Sequence, residues 1–322
     1  MNSKRLYDLI NMDSAEGLIQ ETETVLRLVY PGADTAPVRT AFNDTMALYA
    51  GQYPGYKNCT AGYHDFQHSA ETLLAQARLI HGAAAEGLAL PYGDVRVSLT
   101  AALLHDAGYV QEITDTGAGG THTAAHVDRS MDFAGQYISR SGSCERDVAA
   151  CRDMIYCTDL EADFESIHWP SREIELLGKM LGAADLLAQM ADRAHLEKLF
   201  YLYQEFQEGM VSGFNSAEDM LRKTMNFYLL ADERFAGKLE NVNRFMAAHF
   251  SRRWNIDEDL YRTAIESEKA YLQNIMRLED QEMRRRLRRK GIIEKIQSEK
   301  KNEQPIPPSG PDFSHPKKTQ PT

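Results

Sequence analysis

Apolar residues recur along this chain at intervals of three and four, and no stretch alternates apolar and polar residues as a half-buried strand would. The period predicts helices over residues 15–30 and 36–50, the second with Pro37 in its first turn, where a missing N–H costs little. Further helical runs cover about 64–86, 93–108, 121–140 and 143–157. Ser171 followed by Arg-Glu-Ile-Glu reads as an N-cap with acidic residues at the positive end of a helix that runs to about 190. Two or three more helices fill 193–250. From Asp257 a long charged helix is expected to reach about Lys301, with Gly291 its weak point. The expectation is therefore an all-α protein: a helical domain over 1–256, a charged and basic C-terminal helix over 257–301, and a tail over 302–322 whose six prolines predict disorder.

Composition narrows the class. Of the 322 residues, 43% are hydrophobic and 26% charged, an ordinary balance for a soluble globular chain with a full-sized core. No run approaches the roughly 20 apolar residues of a membrane span, and the N-terminus lacks the apolar core of a signal peptide, so a cytoplasmic protein is expected. The four cysteines form no Cys-x-x-Cys pair and read as reduced thiols, with Cys144, Cys151 and Cys157 near one helix as small core residues.

The net charge is −11, yet residues 277–322 carry 12 Lys and Arg against 7 Asp and Glu, which leaves the rest near −16. That balance argues against a DNA-binding surface on the main body. A negatively charged substrate would need a local positive centre, which metal ions supply. The run RRRLRRK (284–290) suits either a solvated helix end or contact with an acidic partner, a membrane surface or RNA.

Chemistry concentrates in one region. Six of the ten histidines (His64, His68, His81, His105, His122 and His126) fall within residues 64–126. His64 and His68 stand four apart at the start of a helical pattern, a spacing that suits a pair of metal ligands or a ligand beside a proton donor, and that is also often incidental. His105-Asp106 closes the apolar run SLTAALL, where an unpaired carboxylate is costly unless a cation neutralises it. Asp185 lies in another apolar run, LGKMLGAADLLAQM, and needs either the same cation or a partner such as Lys179 or Arg193. His122 and His126 form a second four-residue pair. The Gly-rich segment 109–120 between these motifs is expected to be a mobile flap over a site.

The ordered set His68, His105-Asp106 and an Asp in the context Ala-Asp-Leu resembles the HD-domain metal-dependent phosphohydrolases over about residues 60–190. Within them, Tyr63-His64-Asp65-Phe66-Gln67-His68 is similar to the Tyr-His-Asn-x-x-His signature of class I cyclic-nucleotide phosphodiesterases. Asp65 replaces the Asn, and the phosphodiesterase continuation His-Asp-x-x-His-Pro-Gly is absent after His105-Asp106. The resemblance implies an HD-type helical bundle in which His68, His105, Asp106 and Asp185 ligate a first divalent metal. Asp106 would bridge to a second, and His64 would donate a proton to the leaving oxygen. His126 and, less directly, His122 and Arg129 are candidates for the second metal or the substrate phosphate.

The metals implied are two, drawn from zinc, manganese, iron or magnesium, and they would activate water against phosphorus. The expected substrate is a small phosphorylated nucleotide or phosphodiester, with a cyclic nucleotide the first to try. Nucleoside phosphate or alarmone-like substrates, a non-catalytic nucleotide-sensing module and a di-iron oxygenase are the alternatives.

Overall fold

The computed structural model describes residues 4–302, and these fold into α-helices joined by short 3₁₀ turns. In chain order they are α1 (Ala15–Val29), α2 (Ala36–Tyr49), α3 (Phe66–Ala85), α4 (Tyr92–Leu104), α5 (His126–Arg140), α6 (Glu145–Tyr156), α7 (Arg172–Ala191), α8 (His195–Glu208), α9 (Ala217–Ala236), α10 (Phe245–Trp254), α11 (Leu260–Ile275), α12 (Asp280–Arg286) and α13 (Ile292–Asn302). Among the described residues there is no strand, only two isolated bridges, Ala50–Asn58 and Tyr56–Glu112. No helix is long and apolar enough to cross a membrane.

Local chemistry sets the helix starts. Ser14, Asp65, Ser171, Ser216 and Asp259 each accept a hydrogen bond from a backbone N–H in the first turn of the helix they precede. Ser171 does so for α7, as its sequence context predicts. Three helices are enclosed on every side: α3 from His68 to Ala83, α4 from Val97 to Leu104, and α7 from Leu177 to Ala188. A helix buried all round is a core helix. α3 packs against α1, α4, α7 and α10, and α4 against α7. The apolar runs that contain His105-Asp106 and Asp185 are thus central, and their polar residues are carried into the interior.

The C-terminal segment departs from expectation. It is helical, but in three pieces rather than one. Gly291 does mark a break, with φ +68, and an earlier one follows Ile275. The chain turns back because its apolar residues Met283, Leu287, Ile292 and Ile293 are buried against the body, which one straight helix would not allow. Several basic residues are also spent internally. Arg284 pairs with Glu218, Arg289 with Glu268, and Lys290 with Asp13 at 2.8 Å. Buried Glu197 of α8 accepts from the backbone of Lys290 (2.8 Å) and Ile292 (2.7 Å). Part of this basic stretch is therefore paired with acids of the chain itself. The tail beyond Asn302 lies outside the described residues.

All four cysteines are free; Cys151 and Cys157 are buried, whereas Cys144 is exposed ahead of α6 and is no core residue.

Candidate metal centre

The start of α3, the end of α4 and the interior of α7 meet at one buried point. His68 is the third residue of α3, its backbone N–H capped by Asp65 at 2.9 Å. Asp and Asn are equivalent as N-caps, so an acid at position 65 serves the helix as well as an amide would. His105 and Asp106 follow the last turn of α4, and Asp185 projects from α7. His68 Nε2 lies 3.0 Å from Asp185 Oδ1, 3.3 Å from His105 Nε2 and 3.5 Å from Asp106 Oδ2. His105 Nε2 lies 3.2 Å from Asp106 Oδ2 and 3.6 Å from Asp185 Oδ1. Asp185 meets these imidazoles rather than Lys179, which pairs with Glu175 and Glu240, or Arg193, which stacks on Tyr7.

The spacings among His68, His105 and Asp185 fit a shared cation. Donors about 2.1 Å from one ion stand about 3.0 Å apart at a right angle and about 3.4 Å apart at the tetrahedral angle. His68, His105 and Asp185 form a group that can hold a metal ion. His105 Nδ1 is 2.9 Å from the Ala102 carbonyl, which only accepts, so Nδ1 carries a proton and Nε2 faces the cluster. Asp106 Oδ2 is buried without a hydrogen-bond partner even though two imidazole nitrogens lie nearby. A buried carboxylate oxygen with no hydrogen bond, set among imidazole nitrogens, is an arrangement that a cation resolves.

The electrostatics agree. Burial raises the Asp106 and Asp185 pKa values, but the imidazoles outweigh it: His105, His64 and His68 at Asp106, and His105 and His68 at Asp185. Both carboxyls end below the usual range. His105 shows the converse, with burial opposing protonation and Asp106 and Asp185 driving its pKa well up.

His64 is placed differently from the sequence expectation. It precedes the N-cap Asp65, so the His64–His68 pair does not project from one helical face. The two rings still come within 6.3 Å between centroids. His64 is fixed from two sides: its Nδ1 is 2.6 Å from Glu205 Oε2, and its ring stacks on Tyr109 at 4.1 Å and 7°. Glu205, on α8, also accepts from the Tyr63 backbone at 2.6 Å. Burial lowers the His64 pKa, but the charges of Glu205 and Asp106 outweigh it and raise it. Neither Glu205 nor Tyr109 was marked by the sequence. Glu205 sits in YLYQEFQEG, an amphipathic stretch whose acids read as solvated.

The second histidine pair divides. His126 opens α5, and its Nδ1 contacts the Thr123 carbonyl at 2.7 Å, leaving Nε2 to face Asp106 Oδ1 at 3.9 Å. With a side chain 26% exposed, it stands at the rim of the cluster. His122 lies in the preceding 3₁₀ turn, 3.2 Å from Asp115, and does not reach the centre. Arg129 also turns away: its guanidinium donates to the carbonyls of Gly108 (2.8 Å) and Val110 (3.1 Å) and meets Asp115 at 3.3 Å. A guanidinium committed in this way is not free for phosphate.

The same bonds tie down the segment expected to be a flap. Lys57 N donates to Gln111 O, Ile113 N to Gly55 O, and Gly119 N to Thr60 Oγ1. The chain matches no protein-family model, no curated protein and no solved structure.

Proposed function

We propose that this protein is a metal-dependent phosphohydrolase that cleaves a phosphodiester or nucleotide, as the resemblance to HD-domain enzymes implies. The observation that carries the proposal is the convergence of His68, His105, Asp106 and Asp185 with Asp106 Oδ2 unpartnered, beside an imidazole held by a carboxylate. Bound divalent cations would neutralise phosphate oxygens and lower the pKa of a water. His68, His105, Asp106 and Asp185 would hold the first ion, and Asp106 with His126 would flank the second.

The chain's own part is proton transfer and orientation. Glu205 fixes His64 through Nδ1 and favours its protonated form. Nε2 then carries a proton for the departing alkoxide, a contribution of about 10²- to 10⁴-fold. Tyr109 prevents the ring from turning. A reducing, cytoplasmic compartment is part of this proposal and accords with the four free thiols.

Metal analysis of the purified protein, with hydrolysis assays on a diester, a cyclic nucleotide and a monoester with and without EDTA, tests it. Metal-dependent cleavage of the diester is expected, and the double variant His105→Ala/Asp106→Ala should lose both metal and activity. Unchanged metal content and hydrolysis in that variant would overturn the enzyme assignment. Cleavage of monoesters alone would shift the substrate to a nucleoside phosphate.

A further inference from the structure

Next to the metal centre, and sharing His68 with it, lies a second group of buried polar side chains that the chemistry above does not otherwise use. Tyr63, His68, Glu71, Asp192, His195 and Lys198, together with Gln189, line a small cavity of about 10 Å³. His195 is the first residue of α8 and is 1% exposed, yet neither of its ring nitrogens has a hydrogen-bond partner. His68 turns Nε2 toward Asp185 and His105, which leaves Nδ1 as its other ring nitrogen.

The walls are electrically balanced. Lys198 and Asp192 form an ion pair at 2.8 Å. Burial, against the charge of Asp192, pushes the His195 pKa down to about 4, and burial with the charge of Asp192 pushes Glu71 up to about 8. At neutral pH the guest therefore meets a neutral imidazole, a neutral carboxylic acid and a cancelled pair of charges. Nothing there selects an ion, and the volume admits nothing larger than one water molecule. A water needs two to four polar partners, which His195, Glu71 and His68 supply.

We propose that the cavity holds one structural water, bound by His195 and hydrogen-bonded to Nδ1 of His68, which makes His195 a positioning residue for the metal ligand. The inference rests on the metal centre proposed above. The water fixes the His68 tautomer so that Nε2 keeps its lone pair for the ion, the role that the Ala102 carbonyl plays directly for His105. α8 then serves the site twice: Glu205 orients the proton donor, and His195 orients a ligand.

The test compares wild type, His195→Leu and His195→Gln for zinc and manganese affinity by competition with a chelator, and for the melting temperature of the metal-free protein. Loss of such an outer hydrogen bond lowers metal affinity about 10- to 100-fold. That loss is expected for Leu, with Gln, which can still bind the water, close to wild type. Equal affinities in all three, or a lower melting temperature with unchanged affinity, would overturn the proposal and leave His195 a packing residue. If Leu does not fold, the wild-type crystal structure decides: ordered density within hydrogen-bond reach of both His195 and His68 is required, and a dry cavity refutes it. A wild type that binds no metal at all would instead defeat the metal centre itself.

Discussion

Replacing Gly108 with alanine should separate the fold from the function. Gly108 lies two residues after Asp106, and α5 begins directly against it. A Cβ built there meets the His126 carbonyl oxygen at 2.0 Å and Arg129 Cβ at 2.9 Å. Side-chain carbons do not approach backbone oxygens closer than about 3 Å, so the first turn of α5 must retreat by about 1 Å from the His105–Asp106 turn. Overpacking of this kind costs about 1–3 kcal/mol, which for a chain of this size lowers the melting temperature by roughly 1.5–4.5 °C. Function should suffer more. His126, 3.9 Å from Asp106, moves with α5, and misplacement of a site group by about 1 Å can cost about 10²-fold. The assay pairs differential scanning calorimetry with kcat/KM on a chromogenic diester. Gly93→Ala is the control: it sits in α4 with nothing within 4 Å of the new Cβ and should be neutral or stabilising by about 0.4–1 kcal/mol. If Gly108→Ala keeps wild-type activity, α5 is not held against the His105–Asp106 turn and the proposed part of His126 in the reaction is wrong.

Four further outcomes follow from the structure. Glu205→Gln removes the carboxylate at 2.6 Å from His64 and should slow diesters with alkoxide leaving groups by about 10²-fold or more. Nitrophenyl diesters, whose leaving group departs without a proton, should be nearly unaffected, and equal losses on both would remove His64 as the acid. Saturating manganese or zinc at about 100 times Kd should stabilise the wild type by about 2.7 kcal/mol and Asp185→Asn far less, measured by thermal melts; no dependence on metal would contradict a metal centre. His81 and His249 lie 3.2 Å apart between α3 and α10, and burial, then Arg253 for His81 and Arg78 for His249, lowers both pKa values below 6.5. The unfolded chain thus binds protons first, so their stabilisation is intact above about pH 6.5 and lost as pH falls below it; His249→Gln should melt with a shallower acid dependence, and an unchanged slope would exclude this pair as the cause. Glu197→Ala strips the acceptors from Lys290 and Ile292 and should loosen α13 by about 1–3 kcal/mol, seen as faster amide exchange confined to residues after 290.

What the sequence made legible follows from where its signals were strong. Apolar period and N-cap chemistry act within a turn or two, so α1, α2 and α7 begin and end close to their expected positions. The convergence of these residues was readable because a carboxylate inside an apolar run has few inexpensive explanations, and Asp106 and Asp185 both stand in one. Glu205 gave no such signal. It belongs to a helix with mixed polarity, and its burial comes only from the packing of α8 against the loop that carries Tyr63 and His64. His122 and Arg129 misled for the opposite reason: their residue types suit phosphate, while the local backbone carbonyls and Asp115 claim them first.

The C-terminal segment shows the same limit on a larger scale. Its composition favours a long helix, and only Gly291 announces a break. The break after Ile275 is decided by partners far off in the chain. Tyr271 Oη donates to the Arg286 carbonyl at 2.8 Å, Arg284 and Arg289 reach acids on α9 and α11, and Met283 and Leu287 bury beneath them. Exposed helix propensity is worth a few tenths of a kcal/mol per residue, whereas burying one large apolar side chain is worth about 1.5–3 kcal/mol. A few buried residues on the wrong face of a straight helix outweigh its whole propensity, so the chain bends to meet the body. Three basic residues of the stretch, Arg284, Arg289 and Lys290, thereby meet acids elsewhere in the fold, so part of its charge serves internal packing.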